Sequence, residues 1–263
     1  MRPTSLHDLR PAPAAQLDRI LLVMGTGVRY DLRHVTDTHA AEAALDAADA
    51  WLRHVDEVFS TYRSDSAVTR LREDRPVDPA HLPLVDAVLS ACEQAWSATR
   101  GWYDPWEVPG GFDPSGYVKG WALSQVGELL APVAGAWQVN AGGDLLLSAD
   151  PQHHEPWRIG VRHPELTEQV AAVLSLTSGA VATSGTYARG EHVLDPFRHE
   201  PARGMLSATV VGPDPGMADA YATALFAAGL DGLDWFVDLA GYEAFLIDAQ
   251  RRTWSTPGLP LAA

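Results

Sequence analysis

The chain has 263 residues, enough for one large domain or two small ones, and its 46% apolar and 20% charged residues exclude a disordered chain. Its 19 basic and 34 acidic side chains give a formal net charge of −15. That balance repels phosphate backbones and anionic lipid headgroups, so nucleic acid and membrane surfaces are excluded as expected partners.

Residues 1–18 are polar and carry three prolines, and are expected to form a loose arm ahead of a single domain over 19–263. No window is apolar and long enough to span a bilayer, and the first residues show no signal or lipid-acceptor pattern, so the expected location is the cytoplasm. "RILLVMGTGVRYDL" predicts a strand, a Gly-Thr-Gly turn and a second strand. In "HAAEAALDAADAWLRHVDEVFS", Leu45, Ala48, Leu52, Val55 and Phe59 recur at helical spacing. A second amphipathic helix follows through Val85, Val88, Leu89, Cys92 and Trp96, with Gly101 placed to end it. Cys92, the one cysteine, falls on its apolar face as a small core residue; no intramolecular disulfide and no cysteine metal cluster is possible.

The middle of the chain changes texture. "WYDPWEVPGGFDPSG" is rich in glycine, proline and aromatics and reads as an ordered functional loop. "GYVKGWALSQVGELLA" is the next helix, with Asp113 as N-cap and Pro114 as first helical residue. "WQVNAGGDLLLSA" predicts a hairpin, and "WRIGVRHP", "VAAVLSLTSGAVATSG" and "LSATVVG" supply further strands. A helix from Pro215 to Gly229, another over "DGLDWFVDLAG" and a strand at "EAFLIDA" close the chain. Helices and strands do not alternate strictly, which predicts an α+β fold of mixed sheets packed with helices in one compact domain.

Several segments hold residues suited to chemistry. Asp219 and Thr223 are four apart on one helix and share a face, so two oxygens face one point; this suits a hard cation, and equally a first-turn acid and a hydroxyl bonded to its own helix. "FDPSGYVKG" joins Asp113 to a helix start and to Lys119, which suits an anion or else a plain cap and a solvated lysine. The paired glycines of "VNAGGDLLL" make a tight turn or let a flat ligand approach the backbone. His192 and Asp195 follow a run of hydroxyls; both are candidate bases, and His192 suits a hydrogen-bonded structural role at least as well. The glycines at Gly25 and Gly27 lead into an alternating strand rather than a helix, so they are not a dinucleotide fingerprint. "HHEPW" lacks zinc-protease spacing.

In order along the chain, "MGTGVRY", "FSTYRSDSAVTRL", "YDPW", "FDPSGYVKGWAL", "VNAGGDLLL", "WRIGVRHP", "AVATSGTYARG", "HVLDP" and "ADAYATALFAAG" resemble the ApbE family of FAD:protein FMN transferases, from about Met24 to Gly229. The resemblance implies a T-fold-like architecture. It implies magnesium-dependent cleavage of the FAD pyrophosphate, transfer of FMN through a phosphoester bond to a threonine or serine of an acceptor protein, and release of AMP. It also implies roles: Met24 along the flavin, Tyr62 as a stacking ring, Asp104 on the nucleotide side, Asp113 and Lys119 beside FAD. Gly116 would bind the metal through its carbonyl, Asp219 and Thr223 through their side chains, and His192 would lie near the flavin as a base. An FAD pyrophosphatase and a non-catalytic flavin-binding module are the alternatives. The sequence departs from the family pattern at Trp106, where a small residue is usual, at Thr186, where an acid is usual, and at His199, where glycine is usual; these departures bear on acceptor choice.

Overall fold

The computed structural model describes residues 15–152, 154–166, 168–186 and 193–263. Strands β1 (Ala15–Val23) and β2 (Thr26–Val35) form a hairpin. Helices α1 (Thr38–Phe59), α2 (Ala67–Arg72), α3 (Leu82–Ala98) and α4 (Ser115–Leu130) follow. Then come β3 (Ala136–Ala141), β4 (Asp144–Ala149), β5 (Trp157–Arg162), β6 (Val170–Leu176), β7 (Ser178–Gly185), the short β8 (Leu194–Asp195) and β9 (Glu200–Pro201), and β10 (Met205–Gly212). Helix α5 (Pro215–Ala228), a 3-10 turn (Gly229–Gly232), the single helical turn α6 (Leu233–Phe236), β11 (Glu243–Asp248) and β12 (Thr253–Ser255) complete the chain. The fold is α+β, as the pattern of elements predicts.

Eight strands form one sheet in the order β1-β2-β3-β4-β7-β10-β11-β12, and every described ladder is antiparallel. One face of the sheet carries Val28, Tyr30, Leu32, Val139 and Val210 into the main core, against α1, α4 and α5. Part of the other face carries Leu145, Leu147, Val181 and Ile247 into a smaller core beneath the β5–β6 hairpin. No helix among the described residues is long and apolar enough to cross a membrane.

The expected stripe of α1 is buried throughout, and its Asp37 cap accepts the His39 and Ala40 amides at 3.0 and 3.1 Å. In α3, Ala95 rather than Trp96 completes the buried stripe; the exposed Trp96 ring instead donates to the Asp104 carboxylate at 3.0 Å. The β1–β2 turn is Met24–Gly25, not Gly-Thr-Gly. Val23 pairs with Thr26, and both turn residues have positive φ, 53° and 70°, as a two-residue hairpin turn with the strands' twist requires. Strand β1 starts at Ala15, so the expected arm through residue 18 overlaps it; residues 1–14 lie outside the described residues. In α4, Pro114 is the cap and Ser115 the first helical residue, one position later than expected, and Asp113 accepts the Ser115 amide at 2.9 Å.

The contact that positions the site is α4 on α5. A Cβ at Gly120 would overlap the Pro215 carbonyl, and one at Gly216 would come within 2.6 Å of the Tyr117 ring. Two missing side chains therefore let the helices approach backbone to backbone. From α1, Trp51 donates to the Ala122 carbonyl at 3.0 Å and holds α4 from the other side.

Gly120→Ala is expected to lower unfolding stability by about 1–3 kcal/mol, the usual effect of overpacking, measured by urea denaturation. Cys92 is fully buried, and burial pushes its thiol up to about 12 despite the Tyr103 hydroxyl 3.7 Å away, which acts in the opposite sense. It is therefore protonated at pH 8, and a disulfide reagent should label it roughly a hundredfold more slowly in the native than in the denatured protein.

Candidate active site

Four elements converge on one cleft. Helix α4 brings Gly116 and Lys119 from its first turns, α5 brings Asp219 and Thr223, β4 opens with Asp144, and β7 supplies Thr183 and Ser184. The cleft encloses about 270 Å³. Lys119 Nζ lies 3.1 Å from Asp219 Oδ2 and also contacts Asp144 Oδ2. The second Asp144 oxygen accepts the Thr183 amide at 3.1 Å. Thr223 Oγ1 and Ser184 Oγ are 3.2 Å apart, and a Cβ on Gly116 would sit 3.2 Å from that same Thr223 oxygen. The two residues four apart on α5 do share a face, and it is the face that meets Gly116.

Asp144 and Asp219 are 3% and 5% exposed, and both meet the Lys119 ammonium, which compensates charge that would be costly to bury alone. The donors are carboxylate, hydroxyl and backbone carbonyl oxygens, the chemistry a magnesium ion prefers. Among the described residues, no three His, Cys, Asp or Glu side chains gather as a transition-metal cage would need. The residues present therefore fit Mg²⁺. Tyr103, on the wall, is held well above the ordinary phenol range by burial and stays neutral.

A second lobe of about 510 Å³ opens beside the first and shares Gly25, Ser115 and Lys119 with it. Met24 and Tyr62 line this lobe, and the Tyr62 ring is 92% exposed, so its faces are open to a planar ligand. Burial pushes the Asp56 carboxyl in the same lobe upward. Asp113 lies in the first lobe, 3.5 Å from Arg72. Asp104 is there too, but its oxygens are engaged by the Trp106 and Glu107 amides at 2.9 and 3.2 Å and by Trp96, so it orders the aromatic loop.

One expected residue does not join this set. Asp195 lines a separate cavity with Phe197 and Arg203, while its neighbours Leu194 and Pro196 line the cleft. Alternation along the strand turns it away, and its carboxylate accepts the Phe197 and Arg198 amides at 2.9 and 3.1 Å. His192 lies outside the described residues. Conversely, Asp144 and Ser184 were not expected. The signal for Asp144 was available: a single carboxylate opening an otherwise apolar strand. The unusual His199 has φ 55°, a left-handed backbone that explains glycine at that position in the family pattern.

A sheet of this order, backed by a close helix pair with an oxygen-lined cleft at its edge, is an architecture with known relatives. The model of the ApbE family matches residues 106–246, more than half of the chain. The FAD:protein FMN transferase of Rhodobacter capsulatus is 29% identical over 196 residues, 71% of this chain and 34% of the relative. That of Haemophilus influenzae is 32% identical over 131 residues, 45% of this chain and 38% of the relative. The matches thus span little more than a third of the length of these curated relatives. Among solved structures, the ApbE protein of Thermotoga maritima superimposes with a TM-score of 0.78 at 24% identity, over 92% of this chain and 97% of that one. The flavinyl transferase ApbE of Pseudomonas stutzeri, in its apo form, gives 0.79 at 22% identity, over 93% and 95%. This chain belongs to the ApbE family.

Lys119→Met removes the only ammonium bonded to Asp144. Its side chain is 23% exposed, so the expected loss is about 2 kcal/mol, below the range for a fully buried pair. Adding Asp144→Asn should recover most of that loss, and a double-mutant cycle in urea measures the coupling.

Proposed function

We propose that this chain transfers FMN from FAD to a threonine or serine hydroxyl of an acceptor protein, with Mg²⁺ and release of AMP. The observation that carries the reading is the meeting of Gly116, Lys119, Asp219 and Thr223 in the first lobe, with Lys119 also lining the second. FAD has two planar ends and a diphosphate between them, and the cleft has two lobes that share the Lys119 ammonium. The names of the curated relatives point the same way.

In this reading the Gly116 carbonyl, Asp219 and Thr223 hold the magnesium ion, and Ser184 orients the Thr223 hydroxyl. When bound, the ion neutralises charge that develops on the phosphoryl oxygens and on the leaving oxygen. Lys119 and the amides at the start of α4 attract the diphosphate, which the net charge of −15 would otherwise repel. Asp144 positions the Lys119 ammonium. Met24 and Tyr62 receive the flavin, Tyr62 by stacking. Asp104 and Asp113 order the loop on the nucleotide side. The acceptor oxygen bonds to the phosphorus on the FMN side. The bond from that phosphorus to the bridging oxygen breaks, and AMP departs with the bridging oxygen. The hydroxyl proton passes to a base, the role that the resemblance gives His192.

The test is incubation with FAD, Mg²⁺ and a threonine-bearing acceptor protein, with AMP followed by chromatography and flavin by in-gel fluorescence. Transfer gives AMP together with fluorescence on the acceptor. AMP with only free FMN would replace transfer by hydrolysis, and absence of AMP would overturn the reading. Because Asp219 is buried, asparagine is the informative substitution. Asp219→Asn should lower AMP release by roughly a hundredfold or more, and excess EDTA should do the same to the unaltered protein.

A further inference from the structure

The β5–β6 hairpin forms its own two-stranded sheet, and its two edges are treated differently. The outer edge of β6 is covered by the C-terminal segment: Ser175 donates to Pro260 at 2.8 Å, Ala262 donates to Val173 at 2.8 Å, and Leu174 bridges Leu261. Among the described residues, no strand pairs with the outer edge of β5. Among the described residues, no backbone hydrogen bond outside the β5–β6 ladder reaches residues 157–162. An unpaired strand edge is a template for another extended chain.

This edge borders a groove of about 440 Å³ between β5 and the outer face of β3. Arg158, Gly160 and Arg162 alternate along its wall, all exposed, and the Cα atoms of the two arginines are roughly 13 Å apart along the strand. Elsewhere in this acidic chain arginines find carboxylates, as Arg19 does with Asp46, Arg33 with Asp31 and Arg252 with Asp248. Arg158 and Arg162 form no ion pair among the described residues. On the groove floor, the buried side-chain oxygen of Gln138 has no hydrogen-bond partner among them either. Gly142 and Thr183 line both this groove and the cleft that holds Lys119.

We propose that the free edge of β5 docks the acceptor polypeptide as an added antiparallel or parallel strand, and that Arg158 and Arg162 select acidic side chains on it. Main-chain hydrogen bonds to β5 supply affinity, and the alternating arginines supply selectivity, as in other strand-addition complexes. The rest of this surface is acidic on balance and repels such a segment, so Arg158 and Arg162, without ion pairs among the described residues, also steer it to the groove. The groove then delivers a threonine or serine to the cleft past Gly142 and Thr183. This rests on the reading of the chain as a flavin transferase that needs a protein acceptor.

The experiment uses the whole protein and three fluorescent 12-residue peptides, each with one threonine. One carries glutamate at alternate positions beside the threonine, one carries lysine there, and one is the glutamate peptide N-methylated at alternate amides. Binding is measured by anisotropy without FAD, and FAD binding is measured separately without peptide by flavin fluorescence. The glutamate peptide should bind at least tenfold more tightly than the other two. The Arg158→Glu/Arg162→Glu variant should weaken its binding by roughly tenfold or more while leaving FAD binding unchanged. Equal binding by variant and unaltered protein overturns the proposal, as does indifference to N-methylation. Displacement by equimolar inorganic phosphate also overturns it, since the groove would then be a simple anion site. If no peptide binds, the arginines only guard an exposed edge. Absence of AMP when the unaltered protein receives FAD, Mg²⁺ and a threonine-bearing acceptor protein would instead count against the transferase reading.

Discussion

Everything at the site depends on how closely α4 can approach α5. Gly120 and Gly216 remove two side chains from that contact, and the helices meet at the Pro215 backbone and the Tyr117 ring. At this spacing Gly116 lies against Thr223, and Lys119 reaches Asp219. One methyl group at Gly120 would separate a carbonyl, an ammonium, a carboxylate and a hydroxyl that lie about a hundred residues apart in the chain. Packing and chemistry are therefore one constraint here. The small residues of α5, Ala218, Ala220, Ala222 and Ala224, all fully buried, serve the same close fit against the sheet.

The second organising fact is electrostatic. A fold with a charge of −15 keeps two of its carboxylates, Asp144 and Asp219, buried against its one lysine. Burying charge is tolerated where a partner compensates it, and the Lys119 ammonium is a positive group that both carboxylates meet. In the proposed function a cation at this site gives an anionic ligand a seat on a surface that otherwise repels it. The unpaired arginines of β5 are notable against the same background, because most other described arginines are neutralised by nearby acids.

Much of the fold could be read from local pattern. Long elements with a regular apolar period, such as α1, α4 and the β3–β4 hairpin, stand where spacing predicts them. Short elements do not register: α2, β8, β9 and β12 are too brief for any period to appear. Turn details also escaped. Met24 occupies a left-handed position that its side chain disfavours, and only pairing of Val23 with Thr26 reveals it. The expected helix over "DGLDWFVDLAG" is reduced to a 3-10 turn and one helical turn, with Gly229 at φ 67° and Gly241 at φ 82° bounding it.

By itself, the sequence determined the element types, the apolar faces, the family resemblance and the shared face of Asp219 and Thr223. These follow from periods of two and 3.6 residues and from motif order, which are properties of neighbours in the chain. Only the tertiary structure decided that Asp144 and Ser184 join the site, that Asp195 faces another cavity, and that, among the described residues, the outer edge of β5 is unpaired while that of β6 is covered. Those outcomes depend on which strands become neighbours and on the side to which each one turns. Such pairings are made between residues far apart in the chain, where no local spacing records them.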